Sequence, residues 1–116
     1  MILVDVHSHL CDNKYDGIED EIVESFLANG GELMINSGFD IPSSVKSAEQ
    51  AEKYGCVYFS AGVHPDEAKT FDKNAEKTFI ELAKRDKCVA IGETGYDFYW
   101  NKSTEEEQTR AFERQV

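Results

Sequence analysis

The chain has 116 residues, 41% of them apolar, enough for one small domain with a modest core. Twelve basic residues against 23 acidic ones give a formal net charge of -11, which repels polyanions at long range and excludes a general nucleic-acid coat or an anionic-membrane binder. A nuclease whose bound cations reverse the sign locally stays compatible with that charge.

The first strand is expected over Ile2-Leu3-Val4-Asp5-Val6-His7-Ser8-His9, where a run of apolar, mostly branched residues reads as a strand buried on both faces. A polar loop follows around Asp12-Asn13-Lys14. Asp16-Gly17-Ile18-Glu19 then signals a helix with Asp16 as its N-cap and Ile18, Ile22, Val23, Phe26 and Leu27 on one face. Gly30-Gly31 ends that helix, and Leu33-Met34-Ile35-Asn36 forms a second strand. Asp40-Ile41-Pro42 opens a second helix with a weak stripe of Val45, Ala48 and Ala51, stopped by Gly55. Val57–Ala61 is the third strand, running into Gly62-Val63-His64-Pro65. A third helix starts near Asp72, with Ala75, Phe79, Leu82 and Ala83 inward, and Cys88–Glu93 is the fourth strand. Ser103-Thr104-Glu105-Glu106 reads as a capping box for a last helix containing Ala111, Phe112 and Val116. The alternation βαβαβαβα implies a parallel sheet with crossover helices. No terminator follows the last helix, so the chain is expected to be one half of a larger domain.

The chemistry-bearing residues all follow predicted strands. Side chains two apart on a strand share a face, so His7 and His9 can reach one point beyond the strand end. Neutral imidazole is the commonest protein ligand of transition metals. Glu93, between Gly92 and Gly95, is a carboxylate able to bridge two hard cations. His64 is expected to contact a substrate phosphate rather than a metal. Strand carboxyl ends are where a (β/α)8 barrel places its working residues. The open doubly wound alternative lacks a glycine-rich phosphate loop after the first strand. Asp97 reads as a loop cap or a hydrogen-bond partner of a ligating histidine. Asp5 is expected to be buried in a structural hydrogen bond, and Cys11 to be simply buried. Tyr96, Phe98, Tyr99 and Trp100 either stack on bases or pack the loop onto the barrel mouth. Glu105-Glu106-Glu107 is a solvated first turn favoured by the helix dipole.

Three scattered cysteines, Cys11, Cys56 and Cys88, form no CxxC pair, which argues against a zinc knuckle or disulfide framework and for a reducing, cytoplasmic setting. No signal peptide is evident, and no stretch approaches the ~20 apolar residues of a membrane span.

Three segments together, Asp5-Val6-His7-Ser8-His9-Leu10, Ala61-Gly62-Val63-His64-Pro65 and Ala90-Ile91-Gly92-Glu93-Thr94-Gly95-Tyr96-Asp97, resemble the TatD-type metal-dependent deoxyribonucleases. Ala51-Glu52-Lys53-Tyr54 before the third strand matches as well. Val6 stands where that family usually has Ser, Thr or Ala, and Cys11 where an acidic or amide residue is usual. The resemblance implies the N-terminal half of a (β/α)8 TIM barrel and a hydrolase of phosphodiester bonds acting on DNA as a 3'-5' exonuclease. It also implies two divalent metal ions, with zinc, magnesium or manganese as candidates. By position His7 and His9 match the family's first-metal ligands, Glu93 its bridging carboxylate and catalytic group, and His64 an active-site histidine. The family's remaining ligands come from later strands, so this chain is expected to be an inactive half. Two alternatives stand beside that reading: a non-catalytic half-barrel that self-associates through open sheet edges, and an amidohydrolase-like enzyme acting on a small amide or ester.

Overall fold

Strands and helices alternate along the chain in the computed structural model, which describes residues 1–116. The elements are β1 (Leu3–Ser8), α1 (Glu19–Ala28), β2 (Gly31–Ser37), α2 (Ile41–Lys53), β3 (Val57–Ala61), α3 (Lys73–Ala83), β4 (Cys88–Ile91) and α4 (Glu105–Gln115). Short 3-10 turns cover Asn13–Tyr15 and Pro65–Thr70. The sheet runs β1-β2-β3-β4 with every neighbouring pair parallel. Sequential parallel order with a helix after each strand is the architecture of half a (β/α)8 barrel.

The helices begin where side chains satisfy their free amides. The Asp40 carboxylate accepts from the Ser43 amide at 2.8 Å while Ser43 Oγ accepts from the Asp40 amide at 3.0 Å, a reciprocal cap for α2. Asp72 accepts from the Asn74 and Ala75 amides to start α3. For α4 the reciprocal pair is Thr104 with Glu107, one residue beyond the expected Ser103. At α1 the expected Asp16 cap is replaced: Ile18 occupies the N-cap without a side-chain bond. Asp16 instead turns outward to pair with Lys46, and the Glu19 carboxylate accepts from the Gly17 amide at 2.7 Å.

The core lies between the sheet and its helices, joining Val23, Met34, Val57, Phe59, Ala61, Phe79 and Leu82 with the small residues Ala48, Ala51 and Ala75. Alanines on α2 and α3 let these helices approach closely without long side chains between them. Gly55 does not adopt a left-handed cap. The α2 carboxyl end is met instead by the Lys87 ammonium, which lies 2.7 Å from the Ala51 carbonyl, 2.8 Å from that of Tyr54 and 3.1 Å from those of Gly55 and Val57. A cation there complements both the free carbonyls and the helix dipole.

β1 departs from expectation. It pairs only with β2, and Val4 and Val6 are 53% and 68% exposed rather than buried. Apolar composition marks a segment suited to burial but supplies no neighbour to bury it. Val89 and Ile91 on β4, the opposite edge, are exposed as well. No helix is long and apolar enough to cross a membrane.

Candidate functional site

At the carboxyl ends of the strands, main-chain hydrogen bonds draw separate segments together. The Gly92 amide donates to the Ala61 carbonyl at 3.0 Å, and the Glu93 amide reaches across to the Gly38 carbonyl at 2.9 Å. Glu93 is thereby carried from the end of β4 over the end of β2. The His64 amide donates to the Phe39 carbonyl at 2.8 Å, and Gln115 of α4 brackets Val63 by accepting from its amide at 2.7 Å.

Glu93 Oε1 sits 3.4 Å from His7 Nε2 and 3.3 Å from His9 Nε2. One ligand atom from each of the three residues falls within 4.8 Å of the others. Donors bound at about 2.1 Å in tetrahedral geometry are separated by about 3.4 Å, so the two nitrogen–oxygen spacings suit one small cation. The proton inventory agrees. His9 Nδ1 lies 2.9 Å from the Ser37 carbonyl, which can only accept, so Nδ1 carries the hydrogen. In the neutral tautomer the lone pair of Nε2 faces a carboxylate oxygen, an arrangement that a cation between them would satisfy. The carbonyl contact also fixes the ring's orientation. Phe39 packs edge-on against His9, with centroids 5.6 Å apart.

His64 stands outside that trio. Its Nε2 is 3.9 Å from the second oxygen of Glu93, and its Nδ1 accepts from the Asp66 amide at 3.1 Å. In the neutral ring the hydrogen therefore lies on Nε2, facing the cleft as a donor. The cleft is about 340 Å³ and includes His9, Phe39, His64, Asp66, Glu93 and Lys102. Asp66 pairs with Lys102 at 3.2 Å through one carboxylate oxygen, while the other is buried without a partner.

A family profile described as "TatD related DNase" matches residues 4–116. The chain belongs to this family. It is 34% identical over 115 residues to "Uncharacterized metal-dependent hydrolase YabD" of Bacillus subtilis, covering 99% of this chain and 45% of that protein. It is 32% identical over 114 residues to "3'-5' ssDNA/RNA exonuclease TatD" of Escherichia coli, covering 98% of this chain and 44% of that one. The solved structure of the TatD homologue YjjV from Escherichia coli superposes with a TM-score of 0.86 at 22% identity, over 97% of this chain and 44% of that one. A TatD family hydrolase from Entamoeba histolytica gives 0.86 at 24%, over 99% and 44%. The chain thus spans less than half the length of the relatives it matches.

Other expected residues of this TatD-family chain fall as follows. Asp97 bonds no histidine; its carboxylate accepts from the Tyr99 and Trp100 amides at 2.8 and 3.1 Å, and these bonds hold its pKa below the usual carboxylate range. Asp5 is half-buried and accepts from the His7 amide at 3.0 Å. Cys11 is buried away from the His–Glu trio, and burial pushes its thiol pKa up. Four positioning residues escaped the sequence reading. Asn36, Gln50, Gln108 and Gln115 are polar side chains at or near inward positions, and that placement against the apolar pattern was the available signal. Asp66 and Lys102 were missed because their loops meet only in space.

Proposed function

We propose that this chain is part of a divalent-metal-dependent hydrolase of phosphodiester bonds in single-stranded nucleic acid, acting from the 3' end. His7, His9 and Glu93 hold the cation in this reading, and His64 contacts the substrate. The convergence of two imidazole nitrogens on one carboxylate oxygen, at 3.4 and 3.3 Å, is the observation that carries it. The activities named for the relatives, a metal-dependent hydrolase and a 3'-5' ssDNA/RNA exonuclease, favour it further.

What a divalent cation supplies at such a place is Lewis-acid polarisation of a phosphoryl oxygen. The chain's own residues do the rest. Ser37 fixes the His9 tautomer so that Nε2 presents a lone pair. Glu93 turns one oxygen to the imidazoles and the other toward His64. His64 Nε2–H donates to a phosphate oxygen on the open side of the cleft.

Three donor side chains leave at least one position of a tetrahedral cation open, and the family resemblance implies further ligands from later strands. We therefore propose that the 116-residue chain alone binds metal weakly and turns over negligibly, with a second cation and further ligands supplied by additional β/α units. The exposed apolar residues of β1 and β4 favour strands pairing at those edges, from further units or from a second copy. The three free cysteines favour a cytoplasmic location.

Calorimetric titration with Mn²⁺ and Zn²⁺ tests the site. His9→Ala and Glu93→Ala should each weaken binding by at least about tenfold, and unchanged affinity in both would remove the site. An EDTA-sensitive release of nucleotides at substantial rate from this chain would overturn its inactivity. Light scattering that finds only monomer would count against pairing with a second copy.

A further inference from the structure

The loop between β4 and α4 carries aromatic residues that the cleft chemistry does not use. Tyr96 lies along α4, its ring 5.4 Å from that of Phe112 and its hydroxyl 3.1 Å from Thr109 Oγ1. Tyr99 and Trp100 are 80% and 61% exposed and meet edge to face with centroids 4.8 Å apart. Large aromatic surface left in water is the exception that asks for a partner.

This loop is firmly built. Buried Gln108 accepts from the Asp97 amide at 2.7 Å and donates to the carbonyls of Asp97 and Ser103 at 2.9 and 3.1 Å. The Asp97 carboxylate holds the Tyr99 and Trp100 amides. Ser103 Oγ donates to the Asp66 carbonyl at 3.0 Å, which ties the loop to the turn that follows His64. Between the aromatic pair and the cleft stands Lys102. Its ammonium lies 5.7 Å from the Trp100 ring centroid and 3.2 Å from Asp66 Oδ2, and it lines the same cleft as His64 and Glu93.

We propose that Tyr99, Trp100 and Lys102 form a platform that stacks an unpaired base of single-stranded nucleic acid and grips the adjoining phosphate, leading the strand toward the cleft. This deepens the phosphodiesterase reading and rests on it. A chain of net charge -11 cannot gather a polyanion by general attraction. Lys102 is the one lysine lining the cleft, so affinity must come mainly from stacking, which every base provides through its π-face. A duplex keeps its bases stacked inside and gains little from such a platform. The ammonium has three hydrogens, so it can hold a phosphate oxygen while keeping Asp66.

Trp100 is the only tryptophan in the chain, so its fluorescence reads the platform directly. Full chain is titrated in EDTA with oligothymidylate, with a duplex and with an abasic strand of equal length. The expected result is saturable quenching by oligothymidylate alone. Its binding constant should fall with salt at a log–log slope of about -0.7, the value for one neutralised phosphate on a single strand. By anisotropy of a labelled oligonucleotide, Trp100→Ala and Tyr99→Ala should each weaken binding roughly 5- to 100-fold with circular dichroism unaltered, and Lys102→Met should flatten the salt slope. Equal quenching by the abasic strand, or wild-type binding by Trp100→Ala, would overturn the platform. Intact metal binding at His7, His9 and Glu93 without quenching refutes the platform alone. Quenching without metal binding supports it and refutes the phosphodiesterase reading alone.

Discussion

Replacing Asn36 by leucine tests how the His7–His9 strand end is held in place. Asn36 is fully buried at the end of β2; its Oδ1 accepts from the Cys11 amide at 3.1 Å and its Nδ2 donates to Gln50 Oε1 at 2.7 Å. Gln50 in turn donates to the Leu10 carbonyl at 3.2 Å. The two amides therefore clamp Leu10–Cys11, immediately after His9, onto β2 and α2. Leucine keeps the volume but orphans the Cys11 amide and Gln50 Oε1, and with a desolvation cost of about 1–3 kcal/mol each the loss is about 2–6 kcal/mol. At ~2.1 cal/mol/K per residue the unfolding entropy of this chain is roughly 0.24 kcal/mol/K, so Tm should fall by roughly 8–25 °C. Gln50→Leu orphans the Leu10 carbonyl and Asn36 Nδ2. The double variant leaves only two backbone groups unpaired, where the two single variants together leave four. It should therefore cost little more than either single change, a coupling of about 2 kcal/mol read from thermal and urea unfolding by circular dichroism. A Tm drop under ~2 °C, or additivity within about 0.5 kcal/mol, would refute the clamp.

Three further predictions follow from close packing and from shifted ionisation. A Cβ at Gly62 would lie 2.7 Å from the Gly92 carbonyl carbon and 3.0 Å from Gln115 Oε1, so Gly62→Ala should cost about 1–3 kcal/mol by urea unfolding and weaken metal binding by displacing Glu93. Burial raises the Cys11 pKa above its unfolded value, so the stability it contributes is full below ~8.5 and is lost as pH rises through the folded value. Wild-type Tm should accordingly fall on the alkaline side more steeply than that of Cys11→Ala, and iodoacetamide should label Cys11 only after unfolding. Asp97 is shifted the other way, so its contribution is present above ~3.9 and is lost as pH falls through its lowered value. Trp100 fluorescence in the wild type should hold steady at pH 4 and change below it, whereas Asp97→Ala should show the altered spectrum already at pH 7.

Much of the architecture was legible because local signals agreed with one another. Each of α2, α3 and α4 starts at a side chain able to accept from its first amides, and each strand is a short apolar run after a turn. Where two acceptors competed, the local pattern misled: Asp16 precedes α1 like a cap, yet Lys46, thirty residues away, draws it outward. Gly55 reads as a helix stop, but the ending is made by Lys87 from beyond α3. Both are long-range ion or dipole contacts with no trace in the neighbouring residues.

Spacing alone sufficed to bring His7 and His9 to one side, because a strand repeats every two residues and that geometry is local. It also put His64 and Glu93 at strand ends, where a parallel sheet gathers loops on a single rim. Only the tertiary structure decided that Glu93 turns its Oε1 to both imidazoles, that Ser37 sets the His9 tautomer, and that Asp66 meets Lys102 across the cleft. It also decided the fate of β1 and of the aromatic loop, since apolar composition records a tendency toward burial while burial itself needs a neighbour. Directions and distances between loops depend on how four β/α units pack and register, and such information is spread over the whole chain rather than written in any one stretch of it.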